Sequence, residues 1–311
     1  MPPAPVRAAP TLGNAPAPTT VSLAARAELG KPPAPAMPTL EAQRQVCDEV
    51  QQSLGSRQLQ RYEVTMRDSQ LGGVPVRVFT PVTTAPLRQG RVMLNLHGGG
   101  FTKDAGSITE NVPIAALTGA KVIAARYRMA PEFPFPAAVD DAEAVYRALL
   151  EQHPDEQIGL YGTSAGAILC SQLMVRLQRA RLPLPRALGF FSGTADLSRP
   201  GDTEHFFRPA ENDSTQGGFF SSYIGEHDPL TPELSPLFAD LSGFPPTLCI
   251  AGTRDFLLSQ TVLFHQALLR AGVPAELVVF EAMPHAHWIY LDLPESDEAF
   301  AYMARFLNRH L

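Results

Sequence analysis

Apolar positions along this chain follow two rhythms. From Tyr62 to Met66 and from Val74 to Phe79, apolar and polar residues alternate around Gly72-Gly73, which predicts a β-hairpin. Beyond it, short apolar runs take turns with longer segments of helical period. The runs Val92 to Leu96, Lys121 to Tyr127, Ile158 to Tyr161, Ala187 to Phe191, Thr247 to Ala251 and Leu277 to Phe280 read as strands. Asn111 to Thr118, Ala137 to Gln152, Ser164 to Ala180, Leu257 to Ala271 and Glu295 to Asn308 read as helices. Unbroken apolar strands separated by helices predict an α/β fold, a mostly parallel sheet covered on both faces. Functional groups then belong in loops beyond the carboxyl ends of the strands.

Two regions break the alternation. The first 38 residues hold ten of the 30 prolines, and residues 1–38 are expected to be extended or disordered. Residues 39–60 follow as a helix: Leu40, Val46, Val50 and Leu54 are spaced for an amphipathic face, and Thr39 is placed to cap it. Residues 61–311 form one large α/β domain. Within it, about 197–244 is too long for an ordinary connection and carries Phe206, Phe207, Phe219, Phe220 and Tyr223, so it is expected to be a lid.

Composition narrows the partners. The net charge of −6, with no basic block, argues against nucleic acid and anionic membranes. No run approaches the roughly 18 apolar residues that a membrane span needs. The chain is expected to be soluble: cytoplasmic, or periplasmic or secreted if a leader was removed. Its three cysteines, Cys47, Cys170 and Cys249, give neither a disulfide framework nor a metal-binding pair.

The chemistry begins where strand Ile158 to Tyr161 runs into Gly162-Thr163-Ser164-Ala165-Gly166 and a helix follows. A serine on such a tight strand-to-helix turn projects above the sheet edge as a nucleophile. A hydroxyl is a weak nucleophile at neutral pH, so it needs a base, a group that orients the base, and donors for an oxyanion. His97-Gly98-Gly99-Gly100-Phe101 supplies an uncovered glycine loop. The amides of Gly98, Gly99 and Ala165 are the expected oxyanion donors. No Lys-Ser/Thr pair closes the loop as a phosphate cradle would require. His285, in Met283-Pro284-His285-Ala286-His287, follows a late strand and is the candidate base, with His287 its rival. Asp255 follows strand Thr247 to Ala251 and is the candidate acid, with Asp228 weaker because no strand precedes it. The order Ser164, Asp255, His285, each after a later strand, fits the order of a triad on this kind of sheet. His285 and His287 lack a compact third ligand, so no metal is expected.

These residues resemble the bacterial esterases similar to mammalian hormone-sensitive lipase. His97 to Phe101, Tyr127-Arg128-Met129-Ala130-Pro131-Glu132 through Pro136 and Asp140-Asp141, Gly162 to Gly166, and Pro284-His285 carry the likeness. The resemblance implies an α/β-hydrolase fold with an eight-stranded sheet and a helical cap, built from N-terminal helices and an insertion between late strands. It implies a serine carboxylesterase for short acyl esters, without a cofactor, and favours His285 over His287. Two departures stand beside the machinery. Thr163 occupies a position where many members have Asp, as in the subgroup with threonine, and His287 lies near a position usually aromatic. Phe101, Phe219, Phe220, Tyr223 and His287 are the residues expected to line the substrate pocket. The expected partner is a small-molecule ester; a homodimer is admitted but not required. An amidase or lactonase with the same triad, or a receptor without catalysis, are the competing readings.

Overall fold

A computed structural model describes residues 15–32, 39–82, 90–207 and 220–311. Residues 1–14 of the proline-rich segment, and residues 208–219 with Phe219, lie outside the described residues.

Eight strands form one sheet: β1 (Val64–Leu71), β2 (Val74–Pro81), β3 (Val92–Leu96), β4 (Lys121–Ala125), β5 (Ile158–Thr163), β6 (Ala187–Phe191), β7 (Thr247–Arg254) and β8 (Ala275–Pro284). Ten helices accompany them among the described residues. These are α1 (Leu23–Leu29), α2 (Leu40–Arg61), α3 (Asn111–Thr118), α4 (Ala137–Leu150), α5 (Ala165–Arg179), α6 (Asp202–Phe207), α7 (Ser221–Ile224), α8 (Leu258–Arg270), α9 (His287–Tyr290) and α10 (Pro294–His310). The strand order is β1-β2-β4-β3-β5-β6-β7-β8. Among the described residues β2 runs antiparallel to both its neighbours, β1 and β4, and every pair from β4 to β8 is parallel.

Burial explains the two rhythms. Every residue of β3, β5 and β6 is buried, because helices cover both faces of the centre. Leu94 and Leu96 join the cluster under α4, α5 and α8, while Met93 joins the one under α3 and α10. At the sheet's edge β1 is largely exposed, so polar residues alternate in. Leu71 pairs with Val74 across Gly72-Gly73, both at positive φ, a two-residue turn that matches strand twist. Helix α5, directly behind the expected nucleophile, has 12 of its 15 residues buried.

Three expectations need correction. Residues 1–38 are not uniformly extended: Leu23–Leu29 is helical. The Ser22 hydroxyl accepts from the Ala25 N–H, and Ser22 donates from its N–H and its hydroxyl to Glu295 of α10. This short helix rests on contacts with α10, which no local pattern encodes. Helix α2 begins at Leu40 behind Thr39, whose hydroxyl accepts from Ala42 N–H. Its burial, however, does not follow the apolar stripe. Val46 is exposed, and the buried positions are Gln51, Leu54 and Gly55. Strand β8 runs from Ala275 to Pro284, longer than Leu277 to Phe280. As the outer strand it exposes alternate residues, so its apolar run is short.

The connection between β6 and β7 carries α6 and α7. Among the described residues no helix is long and apolar enough to cross a membrane.

Candidate active site

Strand β5 ends at Thr163 and α5 begins at Ala165, so Ser164 occupies the turn alone. Its backbone sits at φ 59°, ψ −122°, a conformation that costs a non-glycine residue of order 1–3 kcal/mol. Neighbours hold it there: the Ser164 N–H donates to Phe191 O at 2.9 Å, and the Ser164 carbonyl accepts from Ala167 and Ile168 of α5. Gly166 allows the close approach this requires. A Cβ there would lie 1.8 Å from Leu96 O on β3.

Two other strand ends bring the partners. Asp255 follows β7 and His285 follows β8. His285 Nε2 lies 3.0 Å from Ser164 Oγ, and His285 Nδ1 lies 2.7 Å from Asp255 Oδ1. With Nδ1 carrying its proton toward Asp255, Nε2 faces the serine as an acceptor. The Leu257 N–H donates to the same carboxylate oxygen at 2.9 Å. Asp255 is wholly buried. Burial pushes its carboxyl up, but the His285 imidazole, the Ser192 hydroxyl and the Leu257 N–H outweigh that and hold it below the usual carboxylate range. The Phe256 ring lies 4.4 Å from that of His285, centroid to centroid, and limits its tilt. Asp228, the rival acid, instead closes an exposed turn, its carboxylate accepting from Leu230 N–H.

The glycine loop arrives from β3 and lies over the elbow. Here the structure corrects one expected donor. The Gly98 N–H is spent on Ala105 O at 2.9 Å, and Ala105 N–H returns a bond to Gly98 O. These two bonds fold the loop back on itself as an isolated bridge. The N–H groups of Gly99, Gly100 and Ala165 have no acceptor among the described residues. The amides left unengaged around the elbow are therefore those of Gly99, Gly100 and Ala165. Gly99 must be glycine: its φ is +111°, and a Cβ would sit 2.0 Å from Lys103 O.

The segment from Tyr127 to Asp141 braces this loop. The Tyr127 ring stacks on that of His97 at 4.1 Å, and its hydroxyl donates to His97 O at 2.7 Å. Ala130 N–H donates to Phe101 O. Arg128 is fixed in turn by Asp141, which accepts from its backbone N–H and its guanidinium. From the other side, Arg44 of α2 donates to Thr102 O and Ala130 O while paired with Glu132.

The expected pocket residues divide. Phe101, Phe220 and Tyr223 pack on one another, with the Phe101 and Tyr223 rings stacked at 3.5 Å. All three are nearly or wholly buried, forming a closed wall beside the glycine loop rather than an open lining. The Tyr223 hydroxyl donates to Gln172 of α5. His287 is buried between Phe280 and Trp288, with Nε2 facing Glu295 O. It packs beneath the base-bearing loop, and burial holds its pKa down to about 4, so it stays neutral. Sequence reasoning passed over Gly100, Ser192, Phe256 and Glu110. Only Gly100 carried a signal, its place in the same glycine run.

A sequence profile of the α/β hydrolase fold family matches residues 93–289. An acetyl-hydrolase of Streptomyces hygroscopicus is 37% identical over 72% of this chain and 77% of its own. The crystal structure of an esterase superposes with a TM-score of 0.82 at 34% identity, over 96% of this chain and 97% of that one. An esterase from the bacterial hormone-sensitive lipase family superposes at 0.77 with 30% identity, over 89% and 93%. The chain belongs to the α/β-hydrolase fold family. Within it, it is a carboxylester hydrolase of the kind similar to hormone-sensitive lipase.

Proposed function

We propose that this esterase cleaves short-chain acyl esters through an acyl-enzyme formed on Ser164. The carrying observation is the unbroken hydrogen-bond line from Ser164 Oγ through His285 to Asp255, beneath three amides free of any described acceptor. His285 Nε2 takes the hydroxyl proton as Oγ attacks the ester carbonyl. The Gly99, Gly100 and Ala165 N–H groups receive the negative oxygen of the tetrahedral intermediate. Collapse breaks the bond to the alcohol, which leaves with the proton from His285. Water, deprotonated by the same imidazole, then attacks the acyl carbon and releases the acid, restoring Ser164. Asp255 keeps its charge throughout and stabilises the imidazolium. Every proton has a carrier among these residues, and no step calls for a cofactor.

Short chains are favoured by the closed aromatic wall of Phe101, Phe220 and Tyr223, which leaves no room between its stacked rings. The relative named an acetyl-hydrolase points the same way. Rates with p-nitrophenyl acetate, butyrate and decanoate test the reading. We expect butyrate to exceed decanoate, and Ser164→Ala to lose about 10³-fold or more of kcat on each. Equal hydrolysis by both proteins would sink the mechanism, and a decanoate preference would sink the chain-length assignment.

A further inference from the structure

Directly beneath the elbow lies a carboxyl group that the mechanism above does not use. Glu110 stands at the start of α3 but makes no capping bond with its side chain, and it is wholly buried. Its Oε1 accepts from Thr163 Oγ1 and, at 3.1 Å, from Trp288 Nε1; its Oε2 accepts from Asn95 Nδ2 at 3.0 Å. The three donors belong to three different elements that carry the site: β5, α9 and β3. Thr163 is the residue before Ser164. Trp288 lies three residues past His285. Asn95 is on β3, two residues before the glycine loop. Asn111 completes the arrangement by donating to Asn95 Oδ1 at 2.9 Å while accepting from the Tyr161 hydroxyl.

Burying a carboxyl is expensive unless each oxygen is paired. Burial pushes Glu110 up to about 7 even against its three donors. An apolar side chain would fill the same space at less cost, so packing alone does not account for this residue. Ser164 and His285 arrive on β5 and β8, which do not pair with each other in the sheet, yet their side chains meet at 3.0 Å. One oxygen of Glu110 accepts both from Thr163, which leads into Ser164, and from Trp288, three residues past His285. We propose that Glu110 is a positioning residue for ester cleavage, clasping the nucleophile elbow to the base-bearing loop and both to the stem of the glycine loop. The inference rests on the triad reading of Ser164 and His285. It also gives Thr163 a role: with threonine at this position, the carboxylate between the loops comes from α3.

The test compares kcat and KM for p-nitrophenyl butyrate in wild type, Glu110→Gln, Thr163→Val, Trp288→Phe, Glu110→Thr and the double variant Glu110→Thr/Thr163→Asp. Near-ultraviolet circular dichroism and thermal melts establish that each is folded. Glu110→Gln keeps the shape but replaces one acceptor oxygen by a donor. Displacing reacting atoms by about 1 Å costs about a hundredfold, so we expect kcat to fall by about 10- to 100-fold with KM within about twofold. Thr163→Val and Trp288→Phe should each lower kcat by less. Thr163 Oγ1 lies 3.3 Å from Trp288 Nε1, so a carboxylate placed on the elbow reaches the same donor. The double variant should therefore recover most of the kcat that Glu110→Thr loses.

A folded Glu110→Gln with wild-type kcat overturns the proposal. So does a double variant no better than Glu110→Thr when both melt like wild type. If Glu110→Gln does not fold, wild-type kcat in both Thr163→Val and Trp288→Phe overturns it, and a loss of kcat at constant KM in either supports it. Ser164→Ala, run alongside, separates the two readings: if it stays active the triad assignment fails, whereas an inactive Ser164→Ala with an unimpaired Glu110→Gln rejects Glu110 alone.

Discussion

Asp255 holds a negative charge in a place that water does not reach, and its worth lies in which imidazole proton it demands. One oxygen accepts from both His285 Nδ1 and Leu257 N–H, so the carboxylate sets the ring's orientation as well as its tautomer. Asp255→Asn should preserve the fold and lower kcat by about 10³- to 10⁴-fold, because an amide can turn its N–H₂ toward the ring and leave the proton on Nε2, facing the serine. Steady-state kinetics on p-nitrophenyl butyrate reads this directly; a loss below tenfold would reassign the acid. At this scale the sequence was readable where chemistry forces a local pattern. Ser164 and Asp255 follow strands with long apolar runs, His285 follows the shorter apolar run of β8, and the structure brings the three together. Gly98 was misjudged as a donor because the acceptor that occupies its amide, Ala105 O, belongs to a loop with no strand pattern. Glu110 was invisible. An acid at the head of a helix ordinarily serves the helix dipole in solvent, and only the tertiary fold turns this one inward.

Among the elements, α2 was legible as a helix but not in the way it attaches. Its spacing of apolar residues suggested a greasy face, yet the structure fastens it with polar side chains. Gln51 is the clearest: its Nε2 donates to Asp104 O at 2.7 Å and its Oε1 accepts from Ile108 N–H at 2.9 Å. Both partners are in the loop that runs from the glycine segment into α3. A buried backbone group left unpaired costs about 1–3 kcal/mol. Gln51→Met, nearly isosteric, should therefore destabilise the protein by about 2–4 kcal/mol in urea unfolding. Glu132→Gln, which weakens only the exposed pairing with Arg44, should change stability little by comparison. Equal effects of the two substitutions would show that α2 is held elsewhere. The same limit explains α1 and the two ends of β8. Their positions depend on Glu295, on Arg254 reaching Pro16 O, and on an edge with one neighbour, none of which a local period records. The buried strands β3, β5 and β6 needed no such help, because burial on both faces writes an unbroken apolar run.

Across the whole molecule, two buried groups oppose one another in how folding responds to pH. Glu110 is raised by burial from an ordinary 4.5 to about 7, and His287 is lowered, also by burial, from 6.5 to about 4. Between pH 4.5 and 6.5 the folded protein binds a proton at Glu110 that the unfolded chain has lost. Glu110 thus contributes stability that is complete below 4.5 and fades as pH rises toward 7. Over the same interval the unfolded chain binds a proton at His287 that the folded protein refuses. His287 thus contributes stability that is complete above 6.5 and fades as pH falls toward 4. Each alone would tilt stability by about 1.4 kcal/mol per pH unit, in opposite directions. Together they leave it nearly level. Asp255, Asp104, Glu295, Glu132 and Asp240 are all held low, so they tilt stability only at the foot of this window, and His310, also held low, adds a slight tilt in the same sense as His287. Urea unfolding at pH 4.5, 5.5 and 6.5 should therefore give wild-type free energies within about 1 kcal/mol of each other. His287→Phe keeps a ring between Phe280 and Trp288 and removes the titrating imidazole. With Glu110 uncompensated, this variant should gain up to about 3 kcal/mol as pH falls from 6.5 to 4.5. Glu110→Gln should lose a similar amount over the same range. Parallel curves for all three proteins would mean that neither group holds its proton as its burial demands.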